Sequence, residues 1–163
     1  RGEGRRRGVR EIKFRVFYGG QWYYWGFLDD GNGGIKFVGT PIFQSGALSF
    51  REVRHRSNQF TGLRDKNGKE IWEGDILLVP DMYTEHILDD GSGPSVADNH
   101  LAPVCFDRGS FGCDIKDSGD FYKRGFISFP MMEYEMAALT NKELEVIGNI
   151  YENHELIKES THE

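Results

Sequence analysis

Hairpin punctuation constrains this chain more than any other feature in it. Residues 60–79, FTGLRDKNGKEIWEGDILLV, set Asp65-Lys66-Asn67-Gly68 between two runs rich in β-branched and aromatic residues. Asn and Gly tolerate a left-handed backbone, so Asn67 and Gly68 are expected at the two positive-φ positions of a primed hairpin turn. The same stretch has a superficial look of a phosphate loop. That loop needs G-x-x-x-x-G-K-[ST], with backbone N–H groups around the phosphate and a hydroxyl reaching magnesium. Here five residues separate Gly62 from Gly68, and Lys69 is followed by the acid Glu70. The residues that follow have strand rather than helix composition. Thr61, Gly62, Asp65, Asn67 and Gly68 are therefore read as turn residues. Gly74 and Asp75 join them, the glycine allowing a bend and the carboxylate accepting nearby backbone N–H groups.

The rest of the chain reads in the same idiom. EIKFRVF (11–17) puts Ile12, Phe14 and Val16 on one face and Lys13 and Arg15 on the other, the period of a half-buried strand. YGGQ turns the chain into WYYWGFL (22–28), and DDGNGG (29–34) into IKFV. FREVRHRSNQF (50–60) alternates weakly and is expected as an edge strand, its Arg51, Arg54, His55 and Arg56 guarding it against pairing. ILLV (76–79) reads as a strand buried on both faces. Asn153 is a candidate N-cap for a short C-terminal helix. The fold class is mainly β: a small, strongly bent antiparallel sheet or SH3-like barrel, closed by that helix.

A chain of 163 residues suits one domain with its own core. One domain is expected over 9–158, with 1–8 a basic leader, 81–102 an inserted acidic loop and 159–163 a tail. The leader RGEGRRRG holds four arginines and one glutamate, so the remaining 16 basic and 25 acidic residues leave the body at −9. Arg, Gly and Glu all have purine-only codons, and GTG is a bacterial start codon. The expectation is a translated ribosome-binding tract with a native start at Val9. An acidic body disfavours a general duplex binder, which works by displacing counterions with Lys and Arg. No apolar run approaches the ~18–20 residues of a membrane-spanning helix. Two cysteines are too few for a disulfide scaffold, which points to a reducing cytoplasm.

Chemistry-bearing clusters are sparse. His86, Asp89, Asp90, Asp98 and His100, in the 81–102 loop, would supply imidazoles and carboxylates for a divalent metal, without any fixed ligand spacing. Asp29 and Asp30 lack the spacing of a calcium loop. Cys105 and Cys113 flank the turn at 107–110 and could face one another across a hairpin; they are read as buried structural thiols. No nucleophile elbow exists. No catalytic residue, cofactor or metal is assigned, and the chain is expected not to be an enzyme.

REIKFR near the start, FTGLRDKNGKEIWEGDILLV in the middle and EVIGNIYENHEL at the end resemble, in order and spacing, the YopX family of phage and prophage proteins. The resemblance implies a small β-rich cytoplasmic protein of a phage-infected bacterium and supplies no catalytic residues. The expected role is a non-catalytic accessory module binding a host or phage protein, or a second copy of itself. Trp22, Tyr23, Tyr24 and Trp25 alternate faces on a strand, so two of them should point away from the core as interface anchors. With Arg51, Arg54 and Arg56 they form the candidate interaction surface, and the surrounding acids would steer a basic partner. One alternative is a small β-barrel stacking single-stranded nucleic acid on those aromatics. The other is a small metal-dependent enzyme built on 81–102.

Overall fold

The computed structural model describes residues 11–29, 32, 34–39, 46, 48–84, 95–115, 125–129 and 143–158. Among them the mainly β expectation holds, as does the short C-terminal helix. The β structure is divided between two five-stranded sheets, where the sequence reading favours one bent sheet or barrel. The chain falls into two compact units, Arg1–Gly62 and Leu63–Glu163. Among the described residues no helix is long and apolar enough to cross a membrane.

The first unit is built from β1 (Ile12–Tyr18), β2 (Gln21–Asp29), β3 (Ile35–Val38), α1 (Phe50–Arg56) and the start of β4 (Ser57–Arg64). Its strands run in the order β3-β2-β1-β4. β1 and β2 pair antiparallel from Ile12↔Phe27 to Tyr18↔Gln21, around Gly19 and Gly20, both at positive φ. Val16, Trp25, Leu48 and Val53 form the core, with Phe14, Tyr18 and Tyr23 packed against it. Here the structure corrects an expectation. Residues 50–56 are helical, and the strand begins only at Ser57. The deciding signal is a capping box: Ser49 Oγ accepts the Glu52 N–H at 3.3 Å, and Glu52 Oε2 accepts the Ser49 N–H at 2.8 Å. Val53 is then buried completely against β1 and β2.

The second unit continues β4 into β5 (Glu70–Trp72), then β6 (Asp75–Thr84), β7 (Ser95–Asp107), β8 (Ser110–Ile115), β9 (Gly125–Ser128), β10 (Glu145–Asn149) and α2 (Glu155–Lys158). Its sheet has the order β10-β6-β7-β8-β9. Ile71, Leu77, Val79, Ala102, Val104, Cys113, Ile115, Leu144 and Val146 form its core. The burial expected along 76–79 holds for Ile76, Leu77 and Val79 and is partial at Leu78. β6 and β7 form one long ladder from Ile76↔Pro103 to Thr84↔Ser95. The inserted loop expected at 81–102 is therefore mostly strand, leaving 85–94 outside the described residues. The polar, Gly-containing composition of 81–102 hid a ladder that is built by cross-strand pairing.

Candidate functional site

Strand alternation sorts the first sheet into two faces. Phe14, Val16, Tyr23 and Trp25 share the face covered by α1. Phe14 and Trp25 stack at 4.4 Å, and Trp25 Nε1 donates to Ser57 Oγ at 2.9 Å. That hydroxyl in turn donates to the Val53 carbonyl at 2.6 Å, so Trp25 is a core anchor rather than a surface group. On the opposite face the Arg15 guanidinium lies 4.2 Å from the Trp22 ring centre, Phe17 packs beside it, and Lys13 sits over Phe60 at 4.7 Å. Arg15 is thus buried, whereas strict alternation would leave it in water. Its flat guanidinium is weakly hydrated and gains from stacking on the indole. Of the four consecutive aromatics only Tyr24 is exposed. Trp22 and Tyr24 do face away from that core, as alternation requires, but Arg15 and Phe17 half-cover Trp22, so only one of the two is presented to solvent.

The uncovered apolar surface lies two residues further along. Ile12, Phe27 and Phe37 occupy directly opposed positions on β1, β2 and β3, a single cross-strand row. The register puts them on the face that carries Trp25 and Val16. They are 42%, 47% and 55% exposed, and the two phenylalanine rings meet edge to face at 5.4 Å. Sequence reading missed this ledge. The available signal was the continuation of period 2 past Gly26 and its pairing with IKFV.

Arg51, Arg54 and Arg56 are all exposed on α1, together with His55. They lie on a helix, not on the edge strand expected, so their guarding role lapses. Glu52 in their midst keeps a carboxyl below the usual range, held there first by the Ser49 backbone N–H, then by the Ser49 hydroxyl and the charge of Arg56. In the second unit Phe106, Ile147, Ile150 and Tyr151 are exposed. Ile147 owes this to a register shift between Val146 and Gly148, which leaves it out of the ladder with β6.

The predicted turn residues are structural. The Asp65 carbonyl accepts the Gly68 N–H at 2.9 Å, and Asp65 N–H donates to the Lys69 carbonyl at 2.9 Å. Gly68 has φ 80°, but Asn67 is not at positive φ; this is a three-residue loop closed by a left-handed glycine, not a primed two-residue turn. Asp65 decides the difference. Its Oδ1 accepts N–H groups from Asn67 and Lys69 at 2.8 and 2.9 Å, and its Oδ2 accepts the Val146 N–H at 3.0 Å. Lys66 N–H donates to the Leu144 carbonyl, and Lys66 Nζ meets Glu145 at 2.5 Å. The turn is thereby laced to β10. A primed turn does exist at Arg108-Gly109, with φ 50° and 84°, between the paired Asp107 and Ser110. Thr61 and Gly62 belong to β4 rather than to a turn.

Asp75 does what its position suggests: Oδ2 accepts the Trp72 N–H at 2.8 Å. Gly74 N–H donates to the Val104 carbonyl, and its own carbonyl accepts from Ile150. Asn153 does not spend its side chain on α2. Its Oδ1 accepts the Asn149 N–H at 3.3 Å, while Asn149 Oδ1 accepts from Tyr151 and Glu152.

Cys113 pairs with Val104 and Cys105 with Gly112, so the two thiols point to opposite faces of their sheet and do not meet across the hairpin. Burial, then the neighbouring Cys105 and Asp114, push the Cys113 thiol up to about 12. Cys105, only half-buried, is raised first by burial and then by Asp114, Asp107 and Glu73. Neither has the thiolate character of a nucleophile. Of the loop ligands, His86, Asp89 and Asp90 lie outside the described residues, Asp98 is a β7 position, and His100 is buried opposite Val79. Among the described residues no three His, Cys, Asp or Glu side chains gather as metal ligands.

Two antiparallel sheets, with a hairpin turn clasped to a C-terminal strand, define a β-rich class of protein. The YopX protein family matches residues 13–158, and the chain belongs to that family. A solved structure, the protein EF1440 from Enterococcus faecalis, is similar at 21% identity and a TM-score of 0.45, covering 90% of this chain and 97% of that one. No curated protein matches the chain.

Proposed function

We propose that this protein is a non-catalytic protein-binding module, carried by a phage or prophage and acting in the cytoplasm of its bacterial host. The observation that supports this reading is the row of Ile12, Phe27 and Phe37. Three large apolar side chains in direct cross-strand register are left in water on a face whose other end is packed under α1. Aromatic groups presented on a rigid sheet bury large areas at little entropic cost, which is what interface anchors require. The thiols sit in environments that suppress reactivity, consistent with binding rather than covalent catalysis.

A nucleic-acid reading is favoured by one feature, the exposed Arg51, Arg54, His55 and Arg56 on α1. One experiment separates the two. The chain starting at Val9 and its Phe27→Ser/Phe37→Ser variant are used to capture partners from host lysate, with and without nuclease. Nuclease-resistant protein capture that the double variant loses is the expected result. Tight binding to single-stranded DNA or RNA, with no protein retained after nuclease, replaces this reading with the nucleic-acid one.

A further inference from the structure

Charge divides with the two units. Residues 1–62 carry 11 basic and 5 acidic side chains, or +6, and residues 63–163 carry 9 and 21, or −12. The sign survives without the leader, since residues 9–62 hold 7 basic and 4 acidic side chains. On the first unit the ledge shares its face of the sheet with the arginine-bearing α1. The unit that carries the apolar row is therefore net basic, the reverse of the acid-steered arrangement the sequence suggests. A surface of that kind fits apolar side chains set among carboxylates.

The second unit presents such a surface. Ile147, Ile150 and Tyr151 are 38%, 37% and 38% exposed around the end of β10. Glu143, Glu152 and Glu155 are exposed within the same short stretch, and Glu145 stands half-buried beside Lys66. The corner is held in shape by Asn149, whose Oδ1 caps the N–H groups of Tyr151 and Glu152 and whose Nδ2 donates to Glu152 at 2.6 Å. Gly74 fixes it from below through the Ile150 N–H. The apolar groups are thus presented on a defined turn with carboxylates around them.

We propose that the ledge of Ile12, Phe27 and Phe37, with the exposed Arg51 and Arg54 of α1 carried on the same unit, receives the Ile147–Tyr151 corner of a second copy of this chain. The proposal rests on reading the ledge as a protein contact and specifies the partner. The contact is heterologous, different surfaces meeting, so a bound pair keeps one free ledge and one free corner. Association builds a chain or ring rather than stopping at a two-fold dimer. Opposite charge on the two surfaces favours encounter at low ionic strength and is screened as salt rises.

Sedimentation velocity of the chain starting at Val9, over a concentration series at ~0.05 M and ~0.5 M salt, tests this. At low salt, species beyond the dimer should grow with concentration and recede at high salt. Phe27→Ser/Phe37→Ser, Arg51→Glu/Arg54→Glu and Ile150→Ser/Tyr151→Ser should each weaken association about tenfold or more, with circular dichroism confirming an unchanged fold. The first and third variants, monomeric alone, should form a heterodimer when mixed and nothing larger, because one intact ledge then meets one intact corner. A wild-type chain that stays monomeric at low salt overturns the proposal. So does a wild-type dimer that the corner variant leaves intact. If the wild type is monomeric but the ledge variant loses capture of a host protein, the contact reading stands and the second copy is the wrong occupant. If the ledge variant changes neither assay, both fall.

Discussion

Asp65 shows how one carboxylate can set a local conformation. Burial works to raise its pKa, but the N–H groups of Val146, Lys69 and Asn67, with the charge of Lys69, prevail and hold it below the ordinary carboxylate value. A depressed folded-state value means that the ionised form stabilises the fold above the unfolded pKa of ~3.9, and that this stability drains away as pH falls through the folded value. Asp65→Ala leaves the buried Val146 N–H without its acceptor and should cost about 2–4 kcal/mol in denaturant unfolding. Asp65→Asn should remove this carboxylate's share of the acid dependence. The thiols make a second test at this scale. Iodoacetamide at neutral pH should modify Cys105 slowly and reach Cys113 only after denaturation, since the latter is fully buried with its thiol pushed up to about 12. Rapid labelling of Cys113 in the folded protein would contradict its place in the core.

At the scale of elements, α1 and the hairpin turns carry the argument. A seven-residue helix has few internal hydrogen bonds, so it depends on its cap and on the packing of Val53. Ser49→Ala should therefore cost about 1 kcal/mol. Val53→Ala, which empties a fully buried site, should cost roughly 1.5–3 kcal/mol. The two turns predict opposite sensitivities. Gly68→Val should destabilise by about 1–2 kcal/mol because a β-branched side chain resists φ 80°, whereas Asn67→Ala should be milder. Arg108→Asn should raise the melting temperature slightly, since asparagine tolerates the left-handed backbone that arginine occupies at φ 50°. If Asn67→Ala proves as costly as Gly68→Val, the three-residue loop is wrong.

For the whole molecule, two distant sequence blocks prove to be one device. The turn at 65–69 bonds to Leu144 and Val146, and the bend at Gly74 bonds to Ile150. These bonds tie the 60–79 block to the stretch at 144–150. The β6–β7 ladder has its own consequence. Replacing 82–100 by a short Gly-Ser linker would delete the pairing from Val79↔His100 to Thr84↔Ser95. The expected outcome is a large loss of thermal stability, and an unchanged melting temperature would show that the outer ladder contributes nothing.

The alternation of Phe14 and Val16, the glycines of the turns, and the Asp75 carboxylate were legible in the sequence because each acts through its nearest neighbours along the chain. That is enough to determine a mainly β protein and to reject a phosphate loop. The capping box at Ser49 and Glu52 was equally local, and was hidden only by a weak alternation over the same residues. Asp65 could be read as a turn residue but not as an acceptor for Val146, because that bond joins positions 81 apart. Nor could the four consecutive aromatics announce which of them the fold would bury. Exposure depends on where α1 stops covering the sheet, and it falls on Ile12, Phe27 and Phe37 because strand pairing aligns them beyond that cover. Period and turn chemistry are properties of the chain; which apolar side chains remain in water is decided only when the faces meet.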